Sequence, residues 1–197
     1  KTNEVGFKYG DLCSVDFWKA ILPETDIIFH LAALTSLREC ESSPIKSIHA
    51  NVTPTLAILE ACKELDIHPI LIFAGTATQV GVTPSLPVDE TAPSHTVTIY
   101  DYHKQIAEQH IGMASRNNIL TGITLRLGNV YGPGLHDNHK DRGIINKLVK
   151  QCLQGKNIKV YGDGQCMRDY IYINDVANAF VQAAIHANKL SGKYFYI

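Results

Sequence analysis

Three short apolar runs divide the first two thirds of the chain, at residues 27–31, 70–74 and 122–127. Each is rich in β-branched residues and nearly continuous in hydrophobicity, which is typical of parallel strands covered on both faces. Between them, apolar residues recur at three- and four-residue spacing over 44–65, and a second helical pattern covers 100–115. This alternation predicts a doubly wound α/β fold with a parallel, Rossmann-like sheet.

The pattern changes after residue 127. Turn residues occupy 128–134, and a polar loop follows over 136–142. The remaining predicted elements are a helix over 143–154, strands over 158–161 and 169–173, a helix over 175–188 and a strand over 193–197. We therefore predict a partial dinucleotide-binding domain at 1–128 and a smaller substrate-binding lobe at 129–197 that interleaves with the sheet.

Both ends of the chain resemble interrupted elements. Residues 5–9 are interpreted as the tail of an earlier strand, and the last predicted strand reaches residue 197. A parallel sheet needs further strands to cover its edges, and the sequence has no G-x-G-x-x-G loop. We therefore expect an N- and C-terminally truncated protein whose phosphate-binding glycine loop is missing.

Composition narrows the class of partner. The 197 residues include 18 basic and 19 acidic side chains, well mixed, for a net charge of −1. This balance favours a small molecule over nucleic acid or a membrane surface, and the apolar runs are too short to span a bilayer. Five scattered cysteines without a C-x-x-C pair, and the lack of a secretory signal, favour a cytoplasmic protein with reduced thiols.

Tyr100 and Lys104 are the candidate catalytic pair. Their four-residue step places both side chains on one helical face, where the ammonium lowers the pKa of the phenol. Such a phenol can exchange a proton with a hydroxyl while a hydride leaves the same carbon. With nine tyrosines in the chain the spacing alone is weak. Thr76 strengthens it, because it follows the strand at 70–74, and ligands bind at the carboxyl ends of parallel strands.

Six motifs stand in order around this pair. They are Gly10-Asp-Leu12, His30-Leu-Ala-Ala33, Asn51-Val-Thr-Pro-Thr55, Phe73-Ala-Gly-Thr-Ala-Thr-Gln-Val-Gly81, Leu125-Arg-Leu-Gly-Asn-Val-Tyr-Gly-Pro133 and Arg168-Asp-Tyr-Ile-Tyr-Ile-Asn-Asp-Val176. With these motifs the chain resembles the extended short-chain dehydrogenase/reductases, in particular the NAD-dependent nucleotide-sugar epimerase/dehydratase family of the UDP-glucose 4-epimerase type.

The resemblance implies a role for each matching position. The residues implied to bind the cofactor are Asp11, Leu12, Leu31, Ala32, Ala33, Asn51, Tyr100 and Lys104. Thr76 falls on the catalytic Ser/Thr, which also contacts substrate. Asn129 is implied to contact the nucleotide sugar, and Arg168 its diphosphate, for which a guanidinium is well suited.

Two departures from the family pattern bear on the chemistry. Ala77 and Thr78 stand where dehydratases carry Asp-Glu, so a 4,6-dehydratase is disfavoured, because water elimination needs that acid/base pair. Pro54 replaces the usual glycine of N-x-x-G-T.

The leading hypothesis is epimerisation of a nucleotide sugar at C4 through a transient 4-keto intermediate, with NAD as cofactor and NADP not excluded. The alternative is an NAD(P)H-dependent reductase of a nucleotide-linked 4-keto-6-deoxy sugar. A hypothesis of another class is a truncated, inactive binding module. The resemblance also implies a homodimer formed through the two long helices.

Other candidate residues receive simpler interpretations. His136 and His139 lack a third ligand nearby in sequence, so no metal site is predicted. We expect His30 to pack and position the backbone, His103 to face solvent and Cys62 to lie in the core.

Overall fold

The computed structural model describes residues 5–83, 86–133, 144–159, 162–165 and 167–197. The helices are α1 (Val15–Ile21), α2 (Leu37–Ser42), α3 (Pro44–Asn51), α4 (Thr53–Leu65), α5 (Ile99–Arg116), α6 (Ile144–Leu153), α7 (Ile173–Ile185) and α8 (Ala187–Leu190). The strands are β1 (Ile27–His30), β2 (Ile70–Thr76), β3 (Thr121–Leu127), β4 (Asn129–Tyr131), β5 (Tyr170–Tyr172) and β6 (Tyr194–Tyr196). Two 3₁₀ turns cover Leu22–Glu24 and Ala77–Val80.

The main sheet has the order β1-β2-β3-β6, and all its strand pairs are parallel. Its register aligns Ile27 with Ile70 and Ile70 with Thr121. Because β6 pairs with β3, the last part of the chain contributes a strand to the same sheet as the first part. The predicted α/β fold with a parallel sheet is confirmed.

Helices cover both faces of this sheet, which explains why β2 is continuously apolar from Ile70 to Ala74. Leu71 and Phe73 join a core that also includes Trp18 and Ile58, from α1 and α4. The intervening Ile72 belongs to a second core, on the side of α7. Alternate residues of one strand therefore point into two separate cores. Cys62 is buried in the first core, as predicted.

The segment 44–65 is two helices rather than the single one predicted. Helix α3 ends at Asn51, and α4 begins at Thr53 with Pro54 in its first turn. Proline has no N–H to donate and clashes with the preceding turn, so it starts a helix more readily than it continues one.

Several other predictions differ from the structure. Residues 5–10 form no strand, and neither do 158 and 159, while α1 and α2 were not predicted. The segment 128–134, interpreted as a turn, contains β4, in which Asn129 aligns with Tyr170 of β5. Its Gly and Pro residues are typical of a turn, and the strand that pairs with β4 is distant in sequence, so β4 could not be predicted.

Within the described ranges, no helix is both long enough and apolar enough to cross a membrane.

Candidate active site

A cavity of about 730 Å³ lies at the carboxyl edge of the main sheet. Its lining includes Leu31, just after β1, Thr76 at the end of β2 and Leu127 at the end of β3. The carboxyl edge of a parallel sheet is where ligands bind in doubly wound folds. Tyr100, Lys104 and Asn129 line the same cavity. Four residues singled out in the sequence, these three and Thr76, therefore line one cavity.

The start of α5 positions the catalytic pair. Thr98 is the N-cap, and its hydroxyl accepts a hydrogen bond from the Asp101 backbone N–H at 3.1 Å. This cap fixes where the first turn begins. Tyr100 and Lys104 then lie one turn apart on the face toward the cavity.

Lys104 is buried against the sheet, with 2% of its surface exposed. Its Nζ atom lies 4.2 Å from the centroid of the Phe73 ring. Burial removes water from the ammonium and lowers the pKa of Lys104 to about 7. Because this pKa lies near neutrality, the amine can gain or lose a proton near neutral pH.

Thr76 belongs to a chain of hydroxyl groups that ends at a buried carboxylate. Its Oγ1 lies 2.6 Å from the Thr78 Oγ1, and the Thr78 hydroxyl donates to Asp101 Oδ1. Thr98 donates to the other oxygen, Oδ2, at 2.7 Å. Sequence reasoning missed Asp101, although the T-x-x-D pattern at 98–101 is a capping signature that could have drawn attention to it.

Asn51 holds the loop after β1 rather than lining the cavity. Its Oδ1 accepts the Leu34 backbone N–H at 2.9 Å, and its Nδ2 donates to the Leu34 carbonyl at 3.0 Å. Nδ2 also lies 3.3 Å from Ser47 Oγ. Asn51 is 1% exposed. It therefore fixes the backbone of the segment that carries the cavity residues Leu31 and Ala33.

Two histidines near the pair are buried. The His30 ring lies 5.4 Å from that of Phe73. Burial, followed by the charge of Lys104, lowers the pKa of His30 to about 4, so its imidazole is neutral at neutral pH. The prediction that His103 faces solvent is wrong: the ring is 7% exposed, and its Nδ1 lies 2.8 Å from Ser47 Oγ. The reason is that α3 packs against that side of α5.

Other residues assigned from the resemblance lie outside the cavity lining. Asp11 is exposed, and its Oδ1 accepts the Cys13 N–H at 2.9 Å. Leu12 packs at the margin of the first core, and Ala32 is exposed. Arg168 is exposed, and its Nη1 donates to the Met167 carbonyl at 2.8 Å.

The two histidines that were considered and set aside as metal ligands cannot be placed. His136 and His139 lie outside the described residues. Among the residues that the structure does describe, no group of three or more His, Cys, Asp or Glu side chains is arranged to hold a metal ion.

Sequence reasoning also missed a buried ion pair whose residues are not part of the cavity lining. Arg126 Nη2 lies 2.6 Å from Glu108 Oε1, with both side chains shielded from water. Arg126 Nη1 also donates to the Tyr196 hydroxyl at 2.7 Å. These contacts join β3, α5 and β6. No local pattern reveals the pair, because its members come from different elements.

The parallel sheet and the cavity at its carboxyl edge place the chain among the Rossmann-like α/β proteins. Its sequence matches the model of the NAD dependent epimerase/dehydratase family over residues 1–197. The chain belongs to this family.

Named relatives agree with this assignment. A putative UDP-glucose 4-epimerase of Methanocaldococcus jannaschii is 29% identical over 167 residues, which are 85% of this chain and 54% of that protein. A UDP-glucose 4-epimerase of Mycoplasma pneumoniae is 31% identical, covering 80% of this chain and 50% of that protein. The chain thus spans about half the length of these curated relatives.

Solved structures are similar in fold. The UDP-glucose 4-epimerase of Thermus thermophilus, in complex with NAD, superposes with a TM-score of 0.83 at 27% identity and covers all of this chain and 64% of that one. The UDP-N-acetylglucosamine 4-epimerase of Methanobrevibacter ruminantium, in complex with UDP-N-acetylmuramic acid, gives 0.85 at 28% identity. It covers 95% of this chain and 59% of the other.

NAD is the cofactor of the family, and the cavity has features that fit its nicotinamide end. Thr35 lines the cavity, and its buried Oγ1 has no hydrogen-bond partner within the described part of the protein. Lys104 lines the same cavity with an amine that is buried against Phe73. An unsatisfied hydroxyl and a desolvated amine both gain from a polar ligand.

Proposed function

We propose that the complete protein carrying this chain epimerises a nucleotide sugar at C4 through a transient 4-keto intermediate. The observation that carries this proposal is the meeting of Thr76, Tyr100, Lys104 and Asn129 in one cavity at the carboxyl edge of the sheet. The UDP-sugar epimerases among the relatives and structural neighbours support the choice of reaction and of substrate class.

Tyr100 is the acid–base group in this proposal. It takes the proton of the C4 hydroxyl as that carbon is oxidised and returns it when the carbon is reduced. Lys104, one helical turn away and desolvated, favours the phenolate when it is charged. It also provides a donor for the nicotinamide ribose. Thr76 positions the sugar beside Tyr100.

NAD, when bound, would supply the hydride acceptor and donor that oxidation and reduction at C4 require. In this proposal its nicotinamide end is held by four residues that line the cavity, Lys104, Thr35, Leu31 and Ala33. Asn51 contributes by fixing the loop that carries the last three. NADP is the alternative cofactor.

Several proposed contacts depend on residues away from the cavity lining. We propose that Asp11 and Leu12 face the adenine side of the cofactor, that Ala32 lies along its nicotinamide side, and that Arg168 reaches the substrate diphosphate. In this division, 1–128 is a partial dinucleotide-binding domain, and 129–197 is mainly a partial substrate-binding lobe that interleaves with the sheet. We also propose a cytoplasmic homodimer. Cys13, Cys40, Cys62 and Cys152 are free thiols, as a reducing compartment would keep them.

The absence of an acidic pair after Thr76 argues against water elimination. Ala77 and Thr78 offer no carboxylate there. With Tyr100 as the acid–base group, the chemistry is limited to hydride and proton transfer at one carbon.

The decisive assay supplies UDP-galactose to the complete protein without added cofactor. Conversion to UDP-glucose by enzyme that keeps its NAD supports epimerisation. Stoichiometric oxidation of NADH or NADPH by a nucleotide-linked 4-keto-6-deoxy sugar, without such conversion, would establish the reductase instead. A complete protein that binds these ligands but catalyses neither reaction would fit a binding module.

A further inference from the structure

A series of buried hydrogen bonds joins helix α5, which carries the catalytic pair, to the loop after β1. It begins at His103, the residue directly before Lys104, whose Nδ1 lies 2.8 Å from the Oγ of Ser47 on α3. Ser47 Oγ accepts a hydrogen bond from Asn51 Nδ2 at 3.3 Å, one turn further along α3. Asn51 completes the series at the backbone of Leu34. Two segments that line the cavity are therefore connected through α3.

The direction of each hydrogen bond follows from its donors. Asn51 must present its oxygen to the Leu34 N–H, so its amide nitrogen donates to the Leu34 carbonyl and to Ser47. Among the residues that the structure describes, the hydroxyl hydrogen of Ser47 has a single acceptor, Nδ1 of His103. Because buried polar groups are almost always hydrogen-bonded, Ser47 donates to Nδ1, and the imidazole carries its proton on Nε2.

Burial makes these bonds difficult to replace. Ser47 is 0% exposed, Asn51 1% and His103 7%, so water has little access to a broken bond. Burial also lowers the pKa of His103, which keeps the imidazole neutral and Nδ1 able to accept at neutral pH. A buried group that loses its partner costs more than a formed hydrogen bond contributes. The series therefore favours one placement of α5 relative to the loop after β1.

We propose that His103 and Ser47 are positioning residues, which hold the start of α5 in register with the loop proposed to carry the nicotinamide end of NAD. Neither residue lines the cavity. Oxidation at C4 requires that carbon to be aligned with the cofactor while Tyr100, on α5, takes the proton of its hydroxyl. A small displacement of α5 from the loop lowers the rate steeply. The inference rests on the proposed nucleotide-sugar function and deepens it.

Ser47→Ala separates alignment from cofactor binding. It removes the link to His103 but leaves both bonds between Asn51 and Leu34 in place. In the complete protein, fluorescence titration should therefore find a nearly unchanged affinity for NAD. The kcat for conversion of UDP-galactose should fall about tenfold, as for one buried hydrogen bond, while KM stays nearly unchanged.

Ser115→Ala is the matched control. Ser115 lies near the other end of α5, where its hydroxyl accepts the Gly122 N–H at 2.9 Å and donates to the Ile111 carbonyl at 3.0 Å. The variant breaks a comparable buried link between α5 and the sheet, away from the catalytic pair. We expect a lower melting temperature, as in Ser47→Ala, but an unchanged kcat.

Two substitutions of His103 test the acceptor itself. His103→Asn provides an amide oxygen near the position of Nδ1 and should keep most of the wild-type kcat. His103→Leu has no acceptor and should lose about tenfold in kcat. The double variant with Ser47→Ala should be no slower than His103→Leu alone, because both changes break the same hydrogen bond.

Three results would overturn the inference. They are an unchanged kcat in Ser47→Ala, an equal loss of kcat in Ser115→Ala, and losses that multiply in the double variant of Ser47 and His103. Each of them leaves the wild-type conversion of UDP-galactose intact. If the wild type itself converts no UDP-galactose, the proposed function fails, and this inference fails with it.

Discussion

The ammonium of Lys104 lies over the ring of Phe73, with 4.2 Å between Nζ and the ring centroid. Phe73 is fully buried in the middle of β2. The sheet thus provides the lysine with an aromatic face in place of water. A cation gains from such a ring, but less than it loses by leaving water, because burial still lowers the pKa of Lys104 to about 7.

This desolvation makes stability depend on pH. The pKa of Lys104 falls from 10.5 to about 7 on folding, so between these values the unfolded chain holds a proton that the folded chain lacks. Stability therefore rises with pH in this window. Relative to Lys104→Met, the wild type should gain about 2 kcal/mol in free energy of unfolding from pH 7 to pH 9, as measured by urea titration. The exposed Lys63→Met is the control. If wild type and Lys104→Met differ by the same free energy of unfolding at pH 7 and at pH 9, burial does not lower the pKa of Lys104.

Glu108 and Arg126 should be far more important for stability than a surface pair. Glu108→Gln leaves the buried guanidinium without its counter-charge, and we expect a loss of about 3–5 kcal/mol in free energy of unfolding. Glu39→Gln breaks the exposed pair with Lys46 and should cost about 1 kcal/mol or less. Chemical denaturation measures the free energy of unfolding of both variants. Similar losses in the two variants would contradict the greater importance of the buried pair.

Asn51 should increase the affinity for the cofactor, because it fixes the backbone of Leu34. Asn51→Ala leaves the Leu34 N–H and carbonyl without their partner and frees the loop, so we expect NAD affinity to fall roughly tenfold. Asn146 makes an equivalent pair of bonds to the backbone of Gly132, which makes Asn146→Ala a matched control. Fluorescence titration with NAD reports both affinities. If Asn51→Ala and Asn146→Ala lose NAD affinity equally, the loss is not specific to the loop after β1.

His30 should titrate well below an ordinary histidine. Its pKa is lowered from 6.5 to about 4, mainly because the ring is buried and also because Lys104 is near. NMR titration of the imidazole signals should place the midpoint of His30 near 4. A midpoint at or above 6.5 would mean that the ring is not desolvated.

Much of this architecture could be predicted from the sequence, because its signals are local. The runs that became β1, β2 and β3 are continuous in hydrophobicity, and the step from Tyr100 to Lys104 is one helical turn. Features that depend on distant partners could not be predicted. Residues 129–131 form a strand only because β5 pairs with them.

The environment of individual side chains could not be predicted from the sequence either. His103 is buried because Ser47, on another helix, lies against it. Asp101 resembles a simple helix cap until the fold brings Thr78 to its second oxygen. Both side chains depend on which elements pack together, and sequence spacing does not specify that.

The central claim is that Tyr100 is the acid–base group of a nucleotide-sugar epimerase. The most direct test measures the conversion of UDP-galactose to UDP-glucose by the complete protein and its Tyr100→Phe variant. Tyr102→Phe is the matched control, since that ring is 55% exposed and lies two residues further along the same helix. We expect a rate about 10²–10⁴-fold lower in Tyr100→Phe and a nearly unchanged rate in Tyr102→Phe. Wild-type conversion by Tyr100→Phe would contradict it.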